Sequence, residues 1–600
     1  MKLSLRKGLT SAALATVLSA GTMIGGSVSS SPAGAASTSG TVTFALPPNV
    51  IPNYIFPIMS GTYYSNVNLF QFQQIMFRPL YWFGQGQSPV FNPALSLANT
   101  PVYSNGGKTV TMTLKHYMWS DGKPVTSADI IFFMDMLKAE TSIWPVYVPG
   151  EFPSNVVSMA APNASTVVFH LSQAYSNTFF LYNELSQITP LPMHAWDKES
   201  ASGPVGNYAA TPAGAAKVWK FLTAQASDTA TYSTNPLWQI VDGPFRLKTY
   251  ESTGYTVMVP NTKYSGPVKP SYSQLIEQPF TTDTAEFAAL RSGTIDYGYT
   301  PPQDSSQIPL LSSQGYTASP WITFGINYFP LNYNNPTVGP IFRQLYFRQA
   351  VQEMVNQPQA ISKALYGYGY PTYGPVPIKP PNTYSTPLEL KNPYPFNPTT
   401  SAALLTAHGW TVVKNGTSFC SRPGTAANEC GAGVTKGEKM VFNMQYASGF
   451  TYVTQEMQQL KTNLALDGIQ LNLTTAPFNT VIANAVPCKV GPSCSWQIQN
   501  WGQGWSFGPD YYPTGESIFE TGSGINEGSY SNPVNDANIN ATHVIDGVAV
   551  LHKYEDYLAT QLPDIWQPEP DFQISEISSH LHGVTQSSLM NWTPEYWTLH

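Results

Sequence analysis

The chain has 600 residues, 10% of them Asp, Glu, Lys or Arg, and a net charge of -7. That length exceeds what one compact core serves, so two or three domains are expected. Charged residues lie far below the usual ~25%, and the absence of a Lys/Arg run leaves nucleic acid and anionic membrane surfaces without electrostatic support as partners.

In chain order, Lys2, Arg6 and Lys7 precede a weakly apolar run through Leu9, Leu14, Val17, Leu18 and Ile24, then Ala33-Gly34-Ala35. This reads as a secretory signal over residues 1–35 and places the mature protein outside the cytoplasm. No later run approaches the ~18 to 20 apolar residues that span a bilayer. No Cys precedes Cys420, so anchoring through a lipidated Cys beside the signal is not expected. Periplasmic, secreted and surface-retained forms stay open.

Thr41-Val42-Thr43-Phe44, Thr166-Val167-Val168-Phe169 and Tyr255-Thr256-Val257-Met258-Val259 alternate polar and apolar residues as half-buried strands do. Thr109-Val110-Thr111-Met112-Thr113-Leu114 does the same and leads into Ser120-Asp121-Gly122-Lys123, a turn in which Gly122 is free to take positive φ. Thr126 or Ser127 can cap the helix that follows, with Asp129 in its first turn and Ile130, Phe133, Met134 and Leu137 on one face. Further helices are predicted over 284–292, 343–355 and 453–466. The mixture is α/β, or mixed α+β, with no fixed-period repeat, and Pro375 to Pro398 is the most linker-like segment.

The four cysteines form two close pairs, Cys420 with Cys430 and Cys488 with Cys494. In an exported chain, local disulfides are favoured over zinc, because neither pair has C-x-x-C spacing and no His lies close by.

Trp119-Ser120-Asp121-Gly122-Lys123-Pro124-Val125-Thr126-Ser127-Ala128-Asp129 closely resembles a signature of the family 5 extracellular solute-binding proteins, the dipeptide- and oligopeptide-binding subunits of ABC importers. Other blocks similar to the family's follow its order: Pro79-Leu80-Tyr81, Thr189-Pro190-Leu191-Pro192-Met193-His194, Asp242-Gly243-Pro244-Phe245-Arg246-Leu247, Ala289 to Asp296, Phe347 to Val351, Leu404 to Trp410 and Tyr530 to Asp536. One departure is Met354-Val355-Asn356-Gln357-Pro358, where the family carries a charged triplet.

The resemblance implies a periplasmic-binding-protein-like fold with two ligand-clamping lobes, a hinge and an extra inserted domain. Lobe I would take 36–85, 235–320 and 565–600, the inserted lobe II 86–234, and lobe III 321–564. A short peptide would sit between lobes I and III of a monomer and pass unaltered to a membrane ABC permease, with no catalysis, cofactor or metal. A nickel chelate, an oligosaccharide or another small solute is the alternative ligand. An exported hydrolase with an unrecognised carboxylate pair is the alternative class.

Gly504-Trp505-Ser506-Phe507-Gly508-Pro509-Asp510-Tyr511-Tyr512-Pro513 resembles the family segment whose first Asp binds a peptide's α-ammonium. On that match Asp510 receives the ligand amine, through the short charge-assisted bond that a dehydrated ammonium requires; capping a turn before Pro513 is its other reading. Trp505 and Tyr511 would be flat walls and Trp501 a third, each with a core role as the alternative. Gly504 would admit a close backbone approach. For the ligand carboxylate, Arg343 and Arg348 are candidates, although a helix-surface role fits each better, and Asn327 and Tyr328 could serve hinge or site. No G-x-S-x-G, H-E-x-x-H, Walker or G-x-G-x-x-G pattern is present. His580-Leu581-His582 offers two imidazoles without a third ligand, and Asp564, Glu569 and Asp571 offer carboxylate pairs of unknown separation. Finally, scarce carboxylates suit an acidic habitat or an ordinary low-charge secreted surface, which unfolding at low and neutral pH would separate.

Overall fold

The computed structural model describes residues 40–600; the expected signal segment lies outside the described residues. Alternation along Thr41–Ala45 buries Val42 and Phe44, and this strand lies inside a seven-stranded mixed sheet. Across the sheet the order is Tyr316–Trp321, Gln573–Ser578, Tyr297–Thr300, Thr41–Ala45, Gln274–Gln278, Thr256–Pro260 and Phe245–Tyr250. Thr41–Ala45 runs parallel to both neighbours, with Thr41 opposite Gln274, and the remaining pairs are antiparallel. Strands from both ends of the sequence therefore share one sheet.

A second group of strands stands apart from that sheet. Gly325–Pro330 pairs antiparallel with Trp505–Ser506 and with Asp564–Gln567. Val441–Ala447 lies between Gln470–Ala476 and Ile498–Asn500, all parallel, and the helix Thr451–Ala465 makes the crossover that parallel pairing needs. A third, antiparallel sheet orders Val102–Ser104, Thr109–Thr113, Thr166–Leu171 and Val156–Asn163, with the helix Ser127–Ala139 beside it. The architecture is mixed α/β, as the periodicities predict. Among the described residues, no helix is long and apolar enough to cross a membrane.

Local signals resolve in detail. Gly122 takes φ +86° in its turn. Thr126 is the helix cap, and Asp129 does more than face the dipole: one carboxylate oxygen accepts the Thr126 N–H at 2.7 Å and the Trp119 indole N–H at 3.3 Å. Its other oxygen accepts the Met193 N–H at 3.0 Å, tying two motif blocks together. Of the helix predicted over 343–355, Leu345–Gln352 is helical, and Gln344, extended with ψ 117°, separates it from the short helix Gly339–Phe342 that precedes the predicted range. Pro375 to Pro398 is irregular apart from a short turn of helix, but it is tied down: Glu389 is fully buried, and the Thr386 N–H donates to Glu555.

Cys420 is bonded to Cys430 and Cys488 to Cys494. With a sequence separation of 10, the first closes a short loop, and loop entropy alone puts its removal at about 2.7 kcal/mol. The Cys420→Ala/Cys430→Ala variant should lose that much in urea unfolding at equilibrium; an unchanged midpoint would show that the hairpin around Trp410 and Cys420 holds without it.

Candidate functional site

Three adjoining cavities form a cleft whose lining draws on the seven-stranded sheet, through Tyr299, Thr300, Gln573 and Ile574, and on the second group of strands, through Trp505 and Ser506. The first encloses about 670 Å³, walled by Tyr64, Asn66, Phe478, Trp501, Gly504, Trp505 and Glu527. The second, about 450 Å³, shares Asn66, Phe478, Trp501 and Gln503 with it and adds Gln71, Tyr452 and Phe572. The third, about 440 Å³, shares Phe450, Tyr452 and Phe572 with the second and adds Asp283, Tyr368 and Asp571.

Local pairing sets the first cavity's wall. Trp505 lies opposite Ile326 in the antiparallel pair, and a Cβ at Gly504 would come within 2.3 Å of the Ile326 carbonyl oxygen. Glycine is therefore required for strand approach at this point, besides lining the cleft. The Trp501 indole N–H donates to the Gly504 carbonyl at 2.9 Å, and the Trp501 ring meets Tyr328 edge-on at 5.7 Å. The Trp505 ring stacks on Tyr64, 5.7 Å between centroids and 11° between planes, while the Tyr64 hydroxyl donates to the Gly508 carbonyl.

Of the residues singled out from the sequence, Trp501, Gly504 and Trp505 line the cleft; Asp510 and Tyr511 do not. Asp510 is 2% exposed, behind Trp505, whose indole N–H donates to one carboxyl oxygen at 3.1 Å. Burial, and then the Glu516 carboxylate, push its pKa well above the ordinary range. Tyr511 stacks on Phe83 at 4.3 Å, in its core role. Arg348 is not on a helix surface: it is buried and donates to the Phe342 and Gln561 carbonyls, while Arg343 donates to the Tyr333 carbonyl. Asn327 and Tyr328 are buried within their strand, and the Asn327 amide donates to the Pro568 carbonyl. His580 and His582 are exposed. Glu569 is buried and accepts from the Thr323 hydroxyl, whereas Asp571 faces the third cavity.

The cleft's charges were not legible in advance. Glu527, Asp283 and Asp571 are the ionisable acids on its lining, which among the described residues holds no Lys, Arg or His. Glu527 is 7% exposed, and burial followed by the Asp564 carboxylate raises its pKa well above the ordinary value. Burial also pushes Asp283 and Asp571 up to about 6. The lining thus offers aromatic faces, amides and carboxyls, suited to holding apolar and cationic groups. Tyr64, Phe478, Gln503 and Glu527 carried no sequence signal beyond, for Gln503, adjacency to Gly504-Trp505.

Comparison with known proteins follows this geometry. The family described as bacterial extracellular solute-binding proteins, family 5 Middle, matches residues 92–517. A putative ABC transporter peptide-binding protein of Brucella ovis is 28% identical over 262 residues, 43% of this chain and 42% of that protein. A probable ABC transporter-binding protein of Deinococcus radiodurans is 25% identical over 413 residues, 63% of this chain and 64% of that one. The chain thus aligns with less than two thirds of the length of these curated relatives. Among solved structures, the Thermus thermophilus oligopeptide-binding protein complexed with a pentapeptide superposes with a TM-score of 0.71 at 15% identity, covering 94% of this chain and 96% of that one. The Bacillus subtilis oligopeptide-binding protein in complex with a nonapeptide gives 0.70 at 17% identity, covering 94% and 99%. A Campylobacter jejuni protein in complex with Ni(L-His) gives 0.67 at 17%, covering 93% and 99%. At these identities the structural likeness shows the fold.

Proposed function

The chain belongs to the bacterial extracellular solute-binding proteins of family 5, and from that premise we propose that it captures short peptides in the cleft and delivers them unaltered to an ABC permease. The observation that carries this reading is the lining of the cleft: three adjoining cavities, aromatic along their walls, with carboxyls and no basic group among their described lining residues. An extended chain with a free amine fits such a channel. Trp501, Trp505 and Tyr64 would hold side chains of varied shape on flat faces at little rotamer cost. Glu527 would receive the ligand ammonium, and Asp510 would fix the Trp505 ring that forms the wall.

The seven-stranded sheet would form the body of lobe I, the strands around Gly325–Pro330 and Val441–Ala447 that of lobe III, and the four-stranded sheet the inserted lobe II. Closure of lobes I and III on a ligand would give the permease a loaded shape to read. The mature protein would act outside the cytoplasm as a monomer, without catalysing a reaction on its cargo.

Incubating the pure protein with a peptide pool and recovering bound species by mass spectrometry tests this. Intact peptide at one equivalent is the expected result. Cleaved products accumulating over time would favour a hydrolase, and a bound chelate or sugar in place of peptide would change the ligand class.

A further inference from the structure

Outside the cleft lining, five ionisable side chains from four segments meet: Glu151, Glu184, Glu516, Glu520 and His543. In a chain with only 35 acidic residues this is a dense concentration. Glu151, Glu520 and His543 each offer a ligand atom, and these atoms all lie within 4.8 Å of one another. Glu184, Glu520 and His543 are 2%, 7% and 1% exposed.

We infer that Glu151, Glu520 and the Nδ1 of His543 form a binding site for a first-row divalent transition-metal cation. His543 Nδ1 and Glu151 Oε1 are 2.8 Å apart, yet neither ring nitrogen makes a hydrogen bond of acceptable geometry. At 2.8 Å the two atoms stand closer than the about 3.3 Å kept by nitrogen and oxygen donors at about 2.0–2.2 Å from a tetrahedral ion, so taking up an ion would move them about half an ångström apart. Glu520 is oriented for the role: one oxygen accepts from the Asn540 amide at 2.8 Å, and the other is buried without a partner. Glu184 likewise has a buried, unpartnered oxygen and faces Glu151 and His543.

The surroundings resemble the outer shell that ligands need. His543 Nε2 lies 3.8 Å from Glu516, which is itself held by the Asn183 amide at 2.6 Å. Phe179 stacks on the imidazole at 3.9 Å, fixing the ring plane. Two carboxylates and an imidazole balance the charge of a divalent ion, and the imidazole favours a transition metal over calcium or magnesium. The ion would join the loop at Glu151 to the segments holding Glu520 and His543.

Chelator-treated wild-type protein should bind one equivalent of Co2+ or Zn2+ in a calorimetric titration. The Co2+ form should show visible d–d absorption. Glu151→Gln and Glu520→Gln should each weaken that equivalent at least tenfold while leaving the metal-free melting point near wild type. Should either variant fail to fold, the Co2+ spectrum of wild type decides: absorption with imidazole ligation, displaced by Zn2+, supports the site. Wild type that binds no equivalent beyond what the Glu520→Gln variant retains, or Co2+ without such absorption, would overturn it.

Discussion

Thermal unfolding should occur at its highest temperature near pH 3.5 and at progressively lower temperatures as the pH is raised to about 8. Glu277, Glu286, Glu456, Glu569 and Asp242 are all buried, each with at least one carboxyl oxygen that finds no partner. Burial pushes Glu456, Glu569 and Asp242 up to about 8 and raises Glu277 and Glu286 well above the ordinary value. For a carboxyl whose folded pKa is raised, the folded chain holds a proton that the unfolded chain releases. Its stabilisation is therefore complete below the unfolded value of about 4 and drains away as pH climbs through the folded value, by about 1.4 kcal/mol per pH unit and group.

Among carboxyls of the described residues with a resolved shift, Asp121 is the one moved down: burial opposes the shift, but the Lys123 N–H and His194 outweigh it. Among the described residues few ion pairs exist to be lost in acid, the buried Arg78–Glu595 pair being the main one. The Glu456→Gln variant should gain stability at pH 8 and little at pH 4. A wild-type melting point lower at pH 3.5 than at pH 7 would refute the account. Acid tolerance, one of the two readings of the scarce carboxylates, would on this account rest on where the carboxyls sit and not on how few they are.

The second large effect is expected at Glu527. Its carboxyl faces the cleft, and burial followed by the Asp564 carboxylate raises its pKa well above the ordinary value, whereas an incoming ammonium favours the ionised form and would draw that pKa down. Binding of a peptide with a free amine should release a proton to buffer, seen as a buffer-dependent enthalpy, and should tighten as pH rises toward the carboxyl's own pKa. Glu527→Gln should weaken such peptides by about 2 kcal/mol or more, roughly thirtyfold, by leaving the ammonium unpaired in a dry cleft. N-acetylated peptides should lose little. Asp510→Asn should retain affinity, because Asp510 lies off the cleft lining and an amide oxygen can still accept from the Trp505 indole. Loss on Asp510→Asn with none on Glu527→Gln would return the amine to Asp510.

Sequence alone determined what depends on near neighbours along the chain. Alternation marked the strands at Thr41, Thr109, Thr166 and Thr256, the turn at Gly122 and the cap at Thr126 followed from local backbone chemistry, and short spacing paired the cysteines. Collinear motifs gave the family because they record those local constraints in order. Tertiary structure alone decided which acids are buried, since burial depends on what covers a residue and not on its neighbours in sequence. It set Asp510 behind Trp505 and Glu527 on the cleft wall, 17 positions later in the chain. It also brought Glu151 to His543, across 392 positions. Electrostatics acts through space over a few ångströms, so a contact between distant segments leaves no periodicity for the sequence to display.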